Sequence, residues 1–230
     1  MVPRLIVALD FDSAEKALAF TDCVDPTLCA LKVGSELFTA AGPKLVEALV
    51  LRQFRVFLDL KWHDIPNTVA SACRVAASLG VWMVNVHASG GLPMLMAARE
   101  ALSGRDAPLL IAVTVLTSFD EAQLKATGCA TNLTQQVLTL ASLARDAGLD
   151  GVVSSALEAQ SIKSACGSSF ITVTPGIRLP EDEASDQRRI MTPEAAIAAG
   201  SDYLVMGRSI TRSENPTLVL EKLRDITNIP

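Results

Sequence analysis

Long apolar runs are missing from this chain. Half of its 230 residues are apolar, yet no run approaches the roughly 20 residues of a membrane-spanning helix, so a membrane partner is not expected. A basic excess is missing too. The formal net charge is −5, whereas a broad nucleic-acid surface requires a basic face. Small anionic substrates stay open, because a few local Lys and Arg side chains can hold a phosphate whatever the total charge. The five cysteines (Cys23, Cys29, Cys73, Cys129, Cys166) are scattered, odd in number and free of any CxxC pair. That spacing argues against a disulfide framework or a zinc site and suits small buried residues of a cytoplasmic protein. No HxH or HExxH pattern offers a metal site. Aromatics are few, and no linker or low-complexity segment interrupts the chain. The opening Met1–Asp10 is too short for a signal peptide and reaches an acid too early; it reads as a first strand.

What is present is an alternation. Apolar, β-branched runs recur about every 20 to 30 positions, separated by Ala- and Leu-rich stretches of helical pattern. Strands are predicted at Leu5–Leu9, Leu28–Val33, Arg55–Asp59, Met83–Val86, Leu109–Val115, Gly151–Ser154, Phe170–Val173 and Tyr203–Met206. Helices are predicted at Ser13–Cys23, Pro43–Arg52, Asn67–Leu79, Leu92–Leu102, Leu133–Ala147, Leu157–Ala165, Pro193–Ala199 and Pro216–Thr227. Ser13 and Thr192 stand at N-cap positions, and Gly80, Gly148 and Gly200 where helices end in a C′ glycine. Such a pattern, in one domain over residues 1–230, implies a (β/α)8 TIM barrel. The competing doubly wound sheet lacks its dinucleotide fingerprint, since Asp10-Phe11-Asp12 follows the first strand.

Barrel active sites lie at the C-terminal strand ends. In order these ends carry Asp10, Lys32, Asp59 with Lys61, His87, Thr117, Ser155, Gly176 with Arg178, and Gly207 with Arg208. The densest segment is Asp59-Leu60-Lys61-Trp62-His63-Asp64-Ile65-Pro66-Asn67-Thr68. Strand alternation sends Asp59 and Lys61 to one side, beside Lys32 of the neighbouring strand. A structural plug of ion pairs is one reading. The other is a catalytic array, in which interleaved carboxylates keep each ammonium charged and ready to protonate a carbanion-like centre. Asp64 has two readings as well, catalysis or capping of the helix that follows Pro66. His63 and His87 read as structural.

Val173–Arg178 and Val205–Ile210 follow the seventh and eighth strands, where barrels often bind phosphate through backbone amides. Glycine permits close approach, and Arg208 adds a bidentate donor. Between them runs the aperiodic polar stretch 179–189. It reads as a lid with Gln187 as its ligand contact, or as a surface loop.

These residues resemble the orotidine 5′-phosphate decarboxylase family along nearly the whole chain. The resemblance rests on Val7–Asp10, Leu31–Gly34, the Asp59–Thr68 segment, Val113–Ser118, Thr174–Arg178, Asp186–Arg189 and Gly207-Arg208, with Trp62 in place of the more usual Phe. It implies decarboxylation of orotidine 5′-monophosphate (OMP) to UMP in pyrimidine biosynthesis, without metal or organic cofactor. By resemblance Lys61 protonates C6, flanked by Lys32, Asp59 and an Asp64 supplied by the second subunit of a homodimer. Asp10 and Lys32 would hold the ribose hydroxyls, helped by the partner's Thr68. Ser155 would meet the pyrimidine amide edge, and Thr117 and the lid other parts of the nucleotide. Gln187, Arg208 and the Gly207 amide would grip the phosphate; Arg178 is a substrate-binding candidate from its place beside Gly176 after the seventh strand.

Two rivals remain at this stage. Related sugar-phosphate barrels share the Asp-x-Lys-x-x-Asp spacing but use Mg²⁺, which needs an oxygen ligand where this chain has Lys32. A non-catalytic nucleotide-binding barrel would account for the Arg and Gly residues, though not for lysines interleaved with carboxylates.

Overall fold

In a computed structural model, which describes residues 3–179 and 190–227, eight parallel strands close into a barrel in sequence order, and the first pairs with the last. The chain runs β1 (Leu5–Ala8), α1 (Ala14–Thr21), β2 (Ala30–Gly34), α2 (Ser35–Ala41), α3 (Pro43–Leu51), β3 (Val56–Trp62), α4 (Pro66–Ser78), β4 (Met83–His87) and α5 (Leu92–Ala101). It continues through β5 (Leu109–Val113), α6 (Glu121–Ala126), α7 (Leu133–Asp146), β6 (Gly151–Val153), α8 (Ala159–Cys166), β7 (Ile171–Thr174), α9 (Pro193–Ala198), β8 (Tyr203–Met206), α10 (Arg208–Thr211) and α11 (Pro216–Thr227). Closure excludes the doubly wound alternative.

The helix ends follow local chemistry. Ser13 Oγ accepts from the Lys16 amide at 3.4 Å, and Thr192 Oγ1 from the Ala195 amide at 3.4 Å, satisfying donors that a helix start leaves unpaired. Gly80, Gly148 and Gly200 take φ of 77°, 75° and 97° one residue past their helix caps, a region that side chains disfavour.

Period-two alternation divides the strand residues between two cores. One face of the strands, with Leu5, Val7, Leu31, Leu58, Val84 and Leu110, packs under the surrounding helices. The other fills the barrel axis with Ile6, Ala8, Ala30, Phe57, Met83, Ile111, Val173 and Val205. The packed axis leaves no pore and forms the floor on which the site stands.

Three short helices depart from the predicted pattern. Helix α2 starts directly from β2 with Gly34 as its N-cap, so no turn residues announce it. Helix α6 is opened by a capping box between Asp120 and Gln123, and α10 begins straight after Gly207. Strand β3 runs to Trp62, three residues beyond its predicted end at Asp59.

Candidate active site

Two residues above the barrel floor on β2, β3 and β4, the inward positions change from apolar to polar. Ala30 is followed by Lys32, Phe57 by Asp59 and Met83 by Asn85. Lys32, Phe57 and Asp59 are among the residues that bound a cavity of about 820 Å³ at the C-terminal strand ends. Ala8, Phe57, Val153 and Val205 line it from below, and Asp10, Lys32, Asp59, Lys61, Thr117, Arg178, Gly207 and Arg208 from the sides. Eight of the sequence-predicted positions therefore meet in one space. Lys16, Glu36 and Arg212 line it too, on surface positions whose link to the cavity only the tertiary fold creates.

A chain of opposite charges crosses the cavity. Lys32 Nζ lies 3.3 Å from Asp10 Oδ1 and 3.4 Å from Asp59 Oδ2, and Lys61 Nζ lies 2.8 Å from Asp59 Oδ1. Asp59 is buried, so its charge is tolerable only because both oxygens are paired. Gly34 leaves room for this arrangement: a Cβ there would come within 3.1 Å of Lys32 Nζ.

Simple alternation does not explain how Asp59 and Lys61 converge. Between the pairs Leu58↔Val84 and Trp62↔Val86 the register of β3 against β4 shifts, and Lys61 takes a left-handed φ of 54°. A bulge thus re-aims the ammonium. For a non-glycine residue this backbone costs roughly 1–3 kcal/mol and persists only where its surroundings hold it. They do so through Asn85, fully buried on β4. Asn85 Oδ1 accepts from the Lys61 amide at 2.8 Å, and its Nδ2 donates to Asp59 Oδ1 at 2.7 Å. Sequence reasoning missed Asn85. The one available signal was a polar residue flanked by Val84 and Val86, two places after Met83.

The opposite side of the cavity carries the arginines. Gly176 adopts φ 84°, which glycine allows without strain. The chain on either side of residues 180–189 is tied together there: the Arg178 amide donates to the Met191 carbonyl at 3.1 Å, and the Met191 amide to the Gly176 carbonyl at 3.2 Å. Arg208 opens α10 and Arg212 follows one turn later, both exposed at the mouth. Among the described residues, six cationic side chains and four carboxylates line the cavity of an acidic protein, which favours an anionic ligand.

Other predicted residues lie elsewhere. Asp64 and Thr68 are exposed and do not line the cavity. Asp64 is not the helix cap either, because Ile65 holds that position and Asp64 Oδ1 accepts from the adjacent Ile65 amide at 2.6 Å. Ser155 is buried just beyond β6, outside the cavity lining, and its hydroxyl accepts from the Leu157 amide at 3.3 Å. Gln187, and with it residues 180–189 of the lid predicted over 179–189, lies outside the described residues. The rings of His63 and His87 lie with centroids 5.6 Å apart, tilted 35° to each other. Burial, then the neighbouring His63 and Lys61, hold the His87 imidazole below its ordinary range, with Asp59 opposing.

Comparison with known proteins gives a consistent picture. The model of the orotidine 5′-phosphate decarboxylase / HUMPS family matches residues 3–223. The orotidine 5′-phosphate decarboxylase of Legionella pneumophila (strain Paris) is 62% identical over 229 residues, covering 98% of this chain and 100% of the relative. That of Chromobacterium violaceum is 60% identical over 220 residues, covering 95% of this chain and 89% of the relative. The crystal structure of orotidine 5′-phosphate decarboxylase from Lactobacillus acidophilus superposes with a TM-score of 0.89 at 36% identity, covering 100% of both chains.

Proposed function

Because this chain belongs to the orotidine 5′-phosphate decarboxylase / HUMPS family, we propose that it converts OMP to UMP in pyrimidine biosynthesis with the cavity residues described above, and with neither metal nor organic cofactor. The observation that carries the reading is the continuous Lys32–Asp59–Lys61 array, with contacts of 3.4 and 2.8 Å. Loss of CO₂ from the pyrimidine leaves an electron pair at C6, and the ammonium of Lys61 answers it twice. It stabilises the developing negative charge, an interaction strongest in the transition state, and then supplies the proton. Asp59 keeps that ammonium oriented. It also sets a fixed negative charge where the substrate carboxylate would lie, a repulsion relieved as CO₂ departs.

Asp10 and Lys32 are assigned to the ribose hydroxyls, Thr117 and Ser155 to the nucleotide, and Gly207, Arg208, Arg178 and Gln187 to the phosphate. Phosphate binding far from C6 would supply energy for closing the site and fixing geometry. The Mg²⁺-dependent alternative is disfavoured by Lys32, whose ammonium fills the space between Asp10 and Asp59 and cannot ligate a cation.

Asp64 and Thr68 enter through a homodimer. They project from the barrel on an exposed segment with Ile65, which is 67% exposed. A two-fold axis would carry each such segment to the other subunit's cavity and cover that side chain. Among the described residues no helix is long and apolar enough to cross a membrane, and the net charge of −5 gives no basic excess for nucleic acid; as an enzyme of pyrimidine biosynthesis it is assigned to the cytoplasm.

The deciding experiment incubates the purified protein with OMP, with and without excess EDTA, and follows the loss of orotate absorbance. Turnover unaffected by EDTA is expected. Absence of turnover overturns the reading, and turnover abolished by EDTA restores the Mg²⁺ alternative.

A further inference from the structure

Asn85 lies between Val84 and Val86, the two β4 residues that pair with Leu58 and Trp62 of β3. Over this interval β3 advances four residues while β4 advances two. The surplus chain is the bulge that holds Asp59 and Lys61, and a bulge strips backbone groups of their ladder partners. A buried N–H left unmet is destabilising. The Asn85 side chain replaces the missing partner of the Lys61 amide at 2.8 Å and reaches Asp59 Oδ1 at 2.7 Å with its other end. The orientation of the amide group is dictated by chemistry, since a backbone N–H only donates and an ionised carboxylate only accepts.

Building on the decarboxylase reading above, we infer that Asn85 is a positioning residue of the reaction. One neutral amide locks both the left-handed backbone of Lys61 and the side chain of Asp59, so ammonium and carboxylate are set relative to each other before substrate arrives. Its neutrality matters. It steadies Asp59 without adding charge, leaving that carboxylate to Lys32, Lys61 and the substrate. An ionised aspartate here would lose the donor and face Asp59 with a like charge, and an alanine would leave both partners unmet.

The test uses the full-length chain and two variants. Asn85→Ala is expected to lower kcat on the order of 100-fold, the effect of misplacing a reacting group by about 1 Å. Its affinity for UMP should change less than about threefold, because the phosphate contacts lie across the cavity. Asn85→Asp carries the distinguishing signature. Its carboxyl recovers a donor on protonation, so its kcat relative to wild type should climb as pH falls from about 8 to about 6, whereas Asn85→Ala should show no recovery. An asparagine that only stabilised the fold would lower the melting temperature of both variants without this pH response. A crystal structure of Asn85→Ala should show Lys61 leaving the left-handed region and its ammonium moving off Asp59. The inference is overturned if kcat stays within about threefold of wild type in both variants, or if Lys61 keeps its backbone and its Asp59 contact in Asn85→Ala. Should wild-type protein fail to decarboxylate OMP, the functional reading falls, and the variant crystal structure alone decides the role of Asn85.

Discussion

Lys61 Nζ and Asp59 Oδ1 form a 2.8 Å ion pair whose members differ in enclosure: the Asp59 side chain keeps 9% of its surface and that of Lys61 34%. Both line the cavity, but the carboxylate is held by Lys32 and Asn85 while the Lys61 side chain is the more accessible of the two. This asymmetry suits a division of labour in which the enclosed group orients and the accessible one reacts.

Lys61→Ala is therefore expected to abolish turnover of OMP while leaving UMP binding nearly intact, since product affinity comes largely from phosphate and ribose contacts. Steady-state kinetics and calorimetric titration with UMP measure the two separately. Retention of more than about a hundredth of wild-type kcat would remove Lys61 from the role of proton donor, because general acid catalysis is worth roughly 10²–10⁴.

Arg208→Ala should weaken kcat/KM for OMP by about 1.5–3 kcal/mol, the range for a hydrogen bond to a charged group. Orotidine, which lacks the phosphate, should be turned over equally by the variant and the wild type. Equal losses with both substrates would contradict a phosphate contact.

His87 supplies a prediction about stability. Its folded-state pKa is lowered from 6.5, first by burial and then by His63 and Lys61. Between that lowered value and 6.5 the unfolded chain binds more protons than the folded one, so stability rises with pH there. The contribution of the neutral imidazole is complete above 6.5 and is lost as the pH falls toward the folded-state value. Urea midpoints should accordingly drop between pH 7.5 and 5.5, by less in His87→Gln than in wild type. Identical slopes would mean that the imidazole is solvated in solution.

Much of the barrel could be read directly, because strand and helix periods differ and strong punctuation such as Ser13, Pro193 and Gly200 marks the boundaries. That Asp10, Lys32, Asp59 and Arg208 border one cavity could be read from the strand ends; Lys61 reaches it only through the bulge in β3. What stayed hidden depends on contacts distant in sequence. Helix α2 has no turn residue between it and β2 other than Gly34, so its start looks like continuing strand. The left-handed backbone at Lys61 is invisible because lysine carries no propensity for it; Asn85, 24 positions away, holds it. Asp64 shows the reverse limit. Proximity to Pro66 suggested a cap, yet the helix takes Ile65 as its N-cap and leaves the carboxylate exposed.

That exposed carboxylate leads to a test of shared sites. Asp64 lies outside the cavity lining and beyond the end of β3, so a single barrel does not aim it at the Lys61 ammonium. A symmetric dimer that exchanges the Asp64–Thr68 segment would do so, with each site drawing Lys61 from one subunit and Asp64 from the other. Two inactive variants, Lys61→Ala and Asp64→Ala, should then complement when their subunits are allowed to exchange. In the mixed dimer one site collects both lesions and the other neither, so activity should return to at most about half that of a wild-type dimer by symmetry. Subunit exchange is monitored independently with differently tagged chains and native mass spectrometry. Exchange without recovered activity would place Asp64 within its own subunit's chemistry, or outside catalysis altogether.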